Sequence, residues 1–420
     1  MVRRFFRDTY YTTREFSENA RLFLFSTFLS WTGFSVSQVL FNLYLTEAGY
    51  GEAFAGRCAA LTGFCMGLTA FPASFLADRI GRRVTLLCGS FGLGIALLLR
   101  PMTLDANLLL LASFAAGSFQ ALVSISASPF MSENSESHVR THLFSAHFVS
   151  VLTAGILGNL AGGAFPEWLR GVDWLSVKSW LLAYRWTLVA GATLTVSAIG
   201  PLFSVRELPP QVVELETPPP WTGAGRTVRN LALNYLLIGC GAGLIMPFFN
   251  LYFANRFRCS SGQIGLFFAA SQVITIFAAL IGPRIARRYG MLPTIAGLQL
   301  ASLPFLVTLG FEGTLAIAVV AFWARASLMQ ASSPLQNALT MELVPRERRN
   351  RIMGLCNTLW QLGWAMTSSG SGWVLANVGY EYPYYLTALL YGLASIHLYR
   401  AFRNDPAARQ ATPPLRPYGG

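Results

Sequence analysis

Asp78-Arg79-Ile80-Gly81-Arg82-Arg83 stands between two long apolar runs, and a worn copy of its surroundings returns about 208 residues later. Ahead of it lies Phe41-Asn42-Leu43-Tyr44-Leu45, matched by Phe249-Asn250-Leu251-Tyr252-Phe253. At the same spacing, Ser74, Asp78 and Arg79 fall on Gly282, Ala286 and Arg287. Ser128-Pro129-Phe130 returns as Ser333-Pro334-Leu335. Near-constant offsets over several apolar spans are what a duplicated membrane domain leaves in a sequence. The chain therefore reads as two similar halves, an organisation that suits transport.

Composition agrees with a membrane setting. Of 420 residues, 53% are hydrophobic and only 12% charged, against roughly a quarter charged in soluble domains. A helix needs about 20 apolar residues to cross a bilayer. Twelve runs qualify: 22–46, 54–77, 84–102, 107–131, 142–165, 181–204, 230–254, 262–283, 290–310, 314–340, 351–376 and 382–402. All are expected to be helices, because an open sheet in lipid leaves backbone groups unpaired. The fold class expected is an all-α membrane protein of twelve transmembrane helices in two pseudo-symmetric six-helix bundles.

The basic residues orient the chain. With both termini cytoplasmic, 23 of the 31 lie on the inner side, 7 on the outer side, and Arg325 lies inside a span. Such a bias favours this orientation. It also accounts for the net charge of +12 through anionic inner-leaflet lipid, with no call for nucleic acid. Thirty arginines against one lysine suggest a GC-rich bacterial genome, hence a bacterial inner membrane.

The expected organisation is a cytoplasmic segment 1–21, a first bundle 22–204, a proline-rich cytoplasmic linker 205–229, a second bundle 230–402 and a disordered tail 403–420. Thr12 and Glu15 have capping-box spacing, so a short helix is expected before the first span. Trp168, Trp174 and Trp180 suit an interfacial belt on the outer side. No cleavable signal peptide is visible, and Arg3-Arg4 only faintly matches a twin-arginine signal. The six cysteines lack Cys-x-x-Cys spacing and read as small core residues, not as a disulfide frame or metal site.

With an Asp-Arg-x-Gly-Arg-Arg loop between spans 2 and 3, this architecture resembles the major facilitator superfamily, from about residue 20 to residue 403. Ser74 stands where the family pattern G-x-x-x-D-R-x-G-R-R has its first glycine. Tyr184-Arg185-Trp186 and the basic run Pro345 to Arg351 resemble further family segments. The resemblance implies a gating role for Asp78, Arg79, Gly81, Arg82 and Arg83. Asp78 can pair with nearby arginines or face a helix N-terminus, Gly81 permits a tight turn, and the arginines hold the loop at the inner leaflet. Alternatively the loop only orients the chain. Ala286 replaces the aspartate in the second half, so an asymmetric inner gate is expected. Span 5 carries Gly158-Asn159-Leu160-Ala161-Gly162-Gly163, which keeps the glycines of the drug-antiporter branch without its proline; small residues also serve close helix packing.

Polar residues at mid-span usually face an interior cavity. Trp31, Ser35, Gln38 and Asn42 form a stripe on span 1, and Ser113, Gly117, Gln120, Ser124 and Ser128 form one on span 4. The resemblance places spans 1 and 4 around the central cavity; helix–helix hydrogen bonding is the other account. Asn250, Gln272, Thr275, Asn357, Trp360 and Gln361 are the candidates of the second half. Arg325 sits near the middle of span 10, opposite Gln120 in the repeat, and none of the 19 acidic residues lies at mid-span. Arg325 either serves an anionic substrate group or bonds carbonyls and water as a strut. A titrating acid at depth is likewise missing, so Glu133, Glu136, Glu342, His142 and His147 are the residues left for a proton, a candidate coupling ion.

The leading expectation is a secondary or facilitative transporter of a small organic solute, anionic or amphipathic rather than cationic, that works by rocking of two halves. Proton-coupled multidrug efflux is the transport alternative. An integral-membrane enzyme is a third reading, but His138, His142 and His147 complete no site. No phosphate-binding loop occurs; no cofactor and no metal are expected. The partners expected are the small-molecule substrate and membrane lipid, and a monomer is the expected state.

Overall fold

The structure is a computed structural model that describes residues 16–172, 177–206, 225–311, 313–345, 348–405 and 408. The Thr12–Glu15 capping box, Trp174, most of the linker, Arg346 and Glu347, and nearly all of the tail lie outside the described residues.

Among the described residues twelve long helices follow one another: α1 Glu18–Glu47, α2 Glu52–Ile80, α3 Arg82–Met102, α4 Ala106–Glu133, α5 Ser137–Gly171, α6 Trp180–Ser197, α7 Gly225–Ile245, α8 Ser261–Tyr289, α9 Met291–Gly310, α10 Leu315–Glu342, α11 Arg349–Asn377 and α12 Glu381–Phe402. A short helical turn, Ile199–Phe203, extends α6. Ten of these are long and apolar enough to cross a membrane, while α11 and α12 are long but more polar. Most helices overrun the expected spans by a few residues, because a helix can run on through polar end turns that a count of apolar residues leaves out. Thus α7 begins at Gly225, inside the stretch assigned to the linker, with Arg226 and Arg229 exposed in its first turns.

Local chemistry sets several helix starts. The Ser17 hydroxyl caps α1 by accepting from Ala20 N at 3.2 Å. The Asp105 carboxylate caps α4 by accepting from Asn107 N and Leu108 N, both at 2.9 Å. At the α2–α3 and α8–α9 turns stand Gly81 and Gly290, with φ of 88° and 91° and the same ψ of 154°. That backbone is strained for any residue with a Cβ, so the second loop keeps the turn although its aspartate has become Ala286.

The pairing of helices repeats. In the first half α1 packs on α5 and α6, and α3 packs on α4 and α6; in the second α7 packs on α11 and α12, and α9 packs on α10 and α12. The chain divides into two compact units, one of residues 1–50, 68–212 and 253–269, the other of residues 51–67, 213–252 and 270–420. Phe23, Leu86, Phe130 and Leu143 anchor a core in the first unit. Leu231, Ile295, Leu339, Cys356 and Leu398 anchor one in the second, where the buried Ala286 also sits. Large apolar side chains cover the outside: Phe71 and Met366 are 71% and 72% exposed, as lipid-facing residues are.

The first unit gains the start of α8 through a glycine seam. A Cβ on Gly265 would stand 2.8 Å from the Gly163 Cα, so α5 and α8 touch backbone to backbone. Ser261 Oγ donates to Gly163 O at 3.0 Å, and the Glu167 carboxylate accepts from Gly262 N at 2.9 Å, capping α8. The second unit gains the start of α2 in the same way, with Gly56 against Gly372.

Candidate functional site

Arg325 is only 3% exposed, midway along α10. Its Nη2 donates to the Tyr391 hydroxyl of α12 at 3.1 Å. Its Cζ lies 5.6 Å from the Phe249 ring centre and 5.8 Å from that of Tyr391. Its Nε is buried with no hydrogen-bond partner. A guanidinium at membrane depth costs several kcal/mol. Two ring faces offset about 0.5–2 kcal/mol each, and a hydrogen bond to a charged group about 1.5–3 kcal/mol. The cation is thus held in place, while one of its donors is left over.

The backbone around it is irregular. After Ile245, α7 passes through a 3-10 turn, Met246–Phe248, one α turn, Phe249–Leu251, and a π turn, Tyr252–Arg256. Pro247 in that turn supplies no backbone N–H and favours the break. The matching stretch of α1 is unbroken. Phe249 packs edge-on to Phe322 at 4.8 Å and lies 6.1 Å from Tyr384, which meets Tyr252 at 5.1 Å. A kinked helix, a buried cation and five aromatic rings therefore share one place in the second unit.

The other candidates of the second half are placed elsewhere. Asn250 is buried, and its Oδ1 accepts from Leu251 N at 2.9 Å. Gln272 is half-buried on α8, and Asn357 is exposed on α11. Gln361 Nε2 reaches Met66 Sδ at 2.8 Å. Trp360 and Trp364 lie 5.4 Å apart, and Trp360 packs on the core of the second unit. Arg325 hydrogen-bonds to Tyr391 rather than to any of these amides.

In the first unit the α1 stripe divides. Ser35 is buried against α5, where a Cβ on Gly158 would stand 2.7 Å from the Ser35 Cβ. Trp31 is half-buried, edge-on to Phe34 at 5.4 Å, while Asn42 is half-buried and Gln38 exposed. On α4, Gln120 is half-buried with a buried Oε1 that has no partner, and Ser124 is exposed. Gly158 and Gly162 face α1 and Gly163 faces α8, so packing accounts for the whole glycine pattern.

At the α2–α3 turn Asp78 pairs with Arg82, four residues on. Arg82 also reaches Glu133 at the end of α4, 3.5 Å away. Arg83 Nη2 donates to Phe203 O at 2.7 Å, past the end of α6, and Arg79 stands exposed at the end of α2. The loop arginines thus tie α3 to the ends of α4 and α6. Ser74, in place of the motif glycine, bonds back to Phe71 O at 2.8 Å.

Sequence reading passed over two polar networks. In the second unit, Ser395 Oγ donates to Gln299 Oε1 at 2.9 Å, Gln299 Nε2 to Gln336 Oε1 at 2.8 Å, Gln336 Nε2 to Asn234 Oδ1 at 2.8 Å, and Asn234 Nδ2 to Ala394 O at 2.8 Å. This buried chain joins α7, α9, α10 and α12. In the first unit, Asn19 Nδ2 donates to Asn134 Oδ1 at 2.7 Å and to Arg206 O at 2.8 Å. Amides inside apolar runs were the signal available for the first network.

No curated protein matches the chain by sequence. Several solved structures share its fold. A bacterial homologue of the human lysosomal transporter Spinster, inward-facing and occupied, gives a TM-score of 0.76 at 15% identity, over 93% of this chain and 97% of that one. The nucleoside transporter NupG gives 0.69 at 12% identity, over 92% and 100%. The human organic anion transporter MFSD10 gives 0.61 at 15%, over 91% and 99%. The sequence profile described as Major Facilitator Superfamily matches residues 23–367 and again 231–418. Matched over most of its length, and built of apolar helices whose pairing repeats, the chain belongs to the Major Facilitator Superfamily and is a multi-pass membrane transporter.

Proposed function

We propose that the protein moves a small organic anion, or an amphipathic solute with an anionic group, by alternating access. It does so in a bacterial inner membrane with both termini in the cytoplasm. The observation that carries this reading is Arg325, a cation buried in an apolar span whose hydrogen-bond partner is a neutral phenol. No acid of the chain lies at mid-span to neutralise it. One protein of similar fold is described as an organic anion transporter and another as a nucleoside transporter, which is in keeping with a polar organic cargo.

Multidrug efflux finds less support. Its motif in α5 is accounted for by packing against α1 and α8, and a pump for cations would more naturally hold a buried acid. Protons are the candidate coupling ion, with Glu133, Glu136, Glu342, His142 and His147 the residues available for one.

Counterflow in proteoliposomes tests the reading. Vesicles preloaded with an unlabelled organic anion should take up the labelled anion in exchange, faster than empty-liposome controls and far faster than a neutral analogue. Uptake of lipophilic cations with no anion exchange would contradict it.

A further inference from the structure

The anion reading leaves open which anions fit, and the surroundings of Arg325 narrow the choice. A carboxylate engages a guanidinium best side-on, through two parallel N–H···O bonds. One such edge is made of Nε and Nη2. In Arg325 the Nε is buried without a partner, and Nη2 is held by the Tyr391 hydroxyl. A phenol is a single, neutral acceptor, so a carboxylate brought to this edge would gain a charge-assisted pair where the phenol supplies one weaker bond. Phe249 lies beside the guanidinium, 5.6 Å from its Cζ, and Phe322 and Tyr384 pack in turn on Phe249. Such rings pair edge-to-face with another flat ring better than with a saturated one.

A comparison inside the chain shows that its depth and the broken helix beside it, rather than its buried Nε, set this arginine apart from a merely packed one. Phe41 is the repeat counterpart of Phe249, and it too carries an arginine on its face: Arg100, with Cζ 4.3 Å from the ring centre. That arginine comes from the outer end of α3, where its Nη2 meets Ser113 Oγ at 3.4 Å. Arg325 comes from mid-span on α10, and the helix bearing its phenylalanine is broken, whereas the helix bearing Phe41 is not. Irregular turns within a helix concentrate at functional sites, and broken membrane helices frame substrate sites in transporters.

We infer that Arg325, Tyr391 and Phe249 form the carboxylate subsite for a flat aryl acid, with the Tyr391 hydroxyl holding Nη2 until the cargo's carboxylate takes its place. The inference rests on the anion reading above and adds two things to it: an aromatic preference, and a positioning role for Tyr391 that is surrendered on binding.

The test is a set of binding titrations on the purified full chain with benzoate, benzamide, cyclohexanecarboxylate, methylphosphonate and benzylammonium. Benzoate is expected to saturate and to bind about tenfold or more tightly than benzamide, the neutral isostere. Its advantage over cyclohexanecarboxylate should be a few-fold, up to about tenfold, the worth of one aromatic pair. Arg325→Gln should abolish benzoate binding, and Arg325→Lys should weaken it about tenfold or more by removing the fork. Tyr391→Phe should lower the unfolding midpoint without ligand, because Nη2 loses its partner, yet tighten benzoate a few-fold, because a competitor has gone. A purely structural Tyr391 would lower the midpoint and leave affinity unchanged or weaker, which would overturn its assigned role. If cyclohexanecarboxylate or methylphosphonate binds as well as benzoate and still needs Arg325, the aryl subsite is wrong while anion transport stands. If benzylammonium or benzamide binds and benzoate does not, both fall. Should Arg325→Gln fail to fold, the wild-type ratios and Arg325→Lys decide.

Discussion

Tyr44 and Tyr252, which occupy equivalent places in the two repeats, make corresponding long-range bonds: the Tyr44 phenol donates to the end of α3, where Pro101 O lies at 3.3 Å and Thr103 O at 3.2 Å, and the Tyr252 phenol donates to Leu309 O at 2.9 Å. Pro101 and Leu309 each lie 57 residues further along, near the C-terminal end of the third helix of their half. The duplication is thus preserved in hydrogen bonding as well as in sequence. Tyr44→Phe and Tyr252→Phe should each lower stability by about 1 kcal/mol, the net worth of one such bond, read as a fall in unfolding midpoint. A drop confined to one of the two would break the equivalence.

Asp78→Asn should separate function from stability. The Asp78 side chain is 57% exposed and its partner is the neighbouring Arg82, so the pair itself contributes at most about 1 kcal/mol. The variant should insert and unfold much like wild type, while exchange in proteoliposomes falls severalfold. Normal exchange would remove Asp78 from gating.

The buried amide chain should be costly to interrupt. Gln336→Leu leaves Asn234 Oδ1 and part of Gln299 without partners inside the second unit. Each such group costs about 1–3 kcal/mol. Gln330→Leu, at an exposed glutamine of the same helix, should stay within about 0.5 kcal/mol of wild type. Equal effects in thermal unfolding would contradict the network's role.

The α5–α8 seam requires glycine. In Gly265→Ala the new methyl would stand 2.8 Å from the Gly163 Cα, so one helix must move. Overpacking of this kind costs about 1–3 kcal/mol. Gly297→Ala, where a Cβ meets nothing within 4 Å, is the control and should be neutral or slightly stabilising in a helix. The ratio of the two midpoint shifts reads the seam directly.

Much of the fold was legible because lipid demands long apolar helices, and a repeat shows as an offset. The run of twelve spans, the tight turn at Gly81 and the family all followed from such features. The last two helices read as apolar runs like the rest, yet they fall outside the ten that are long and apolar enough to cross a membrane. The site was less legible. Periodicity groups Ser35 with Gln38 and Asn42, yet it cannot tell a face packed on Gly158 from one open to a cavity. Arg325 stood out by charge alone, but its partner Tyr391 is 66 residues away on another helix. Glu133 and Glu167 were read as loop or end charges, because their partners Arg82 and Gly262 meet them only once the helices pack. The span 230–254 read as one continuous helix, and the break at Pro247 and the π turn after it have no counterpart in α1 from which the repeat could have foretold them.

The most direct test of the central claim is thermal unfolding of wild type and Arg325→Gln against organic anions, neutral polyols and lipophilic cations. A ligand that binds the folded state raises its midpoint in proportion to the logarithm of saturation, about 2.7 kcal/mol at a hundredfold excess over Kd. The account predicts that anions raise the wild-type midpoint and that Arg325→Gln loses this response while remaining folded. Equal stabilisation of both proteins by cations or neutral molecules, with anions inert, would contradict it and make Arg325 a strut.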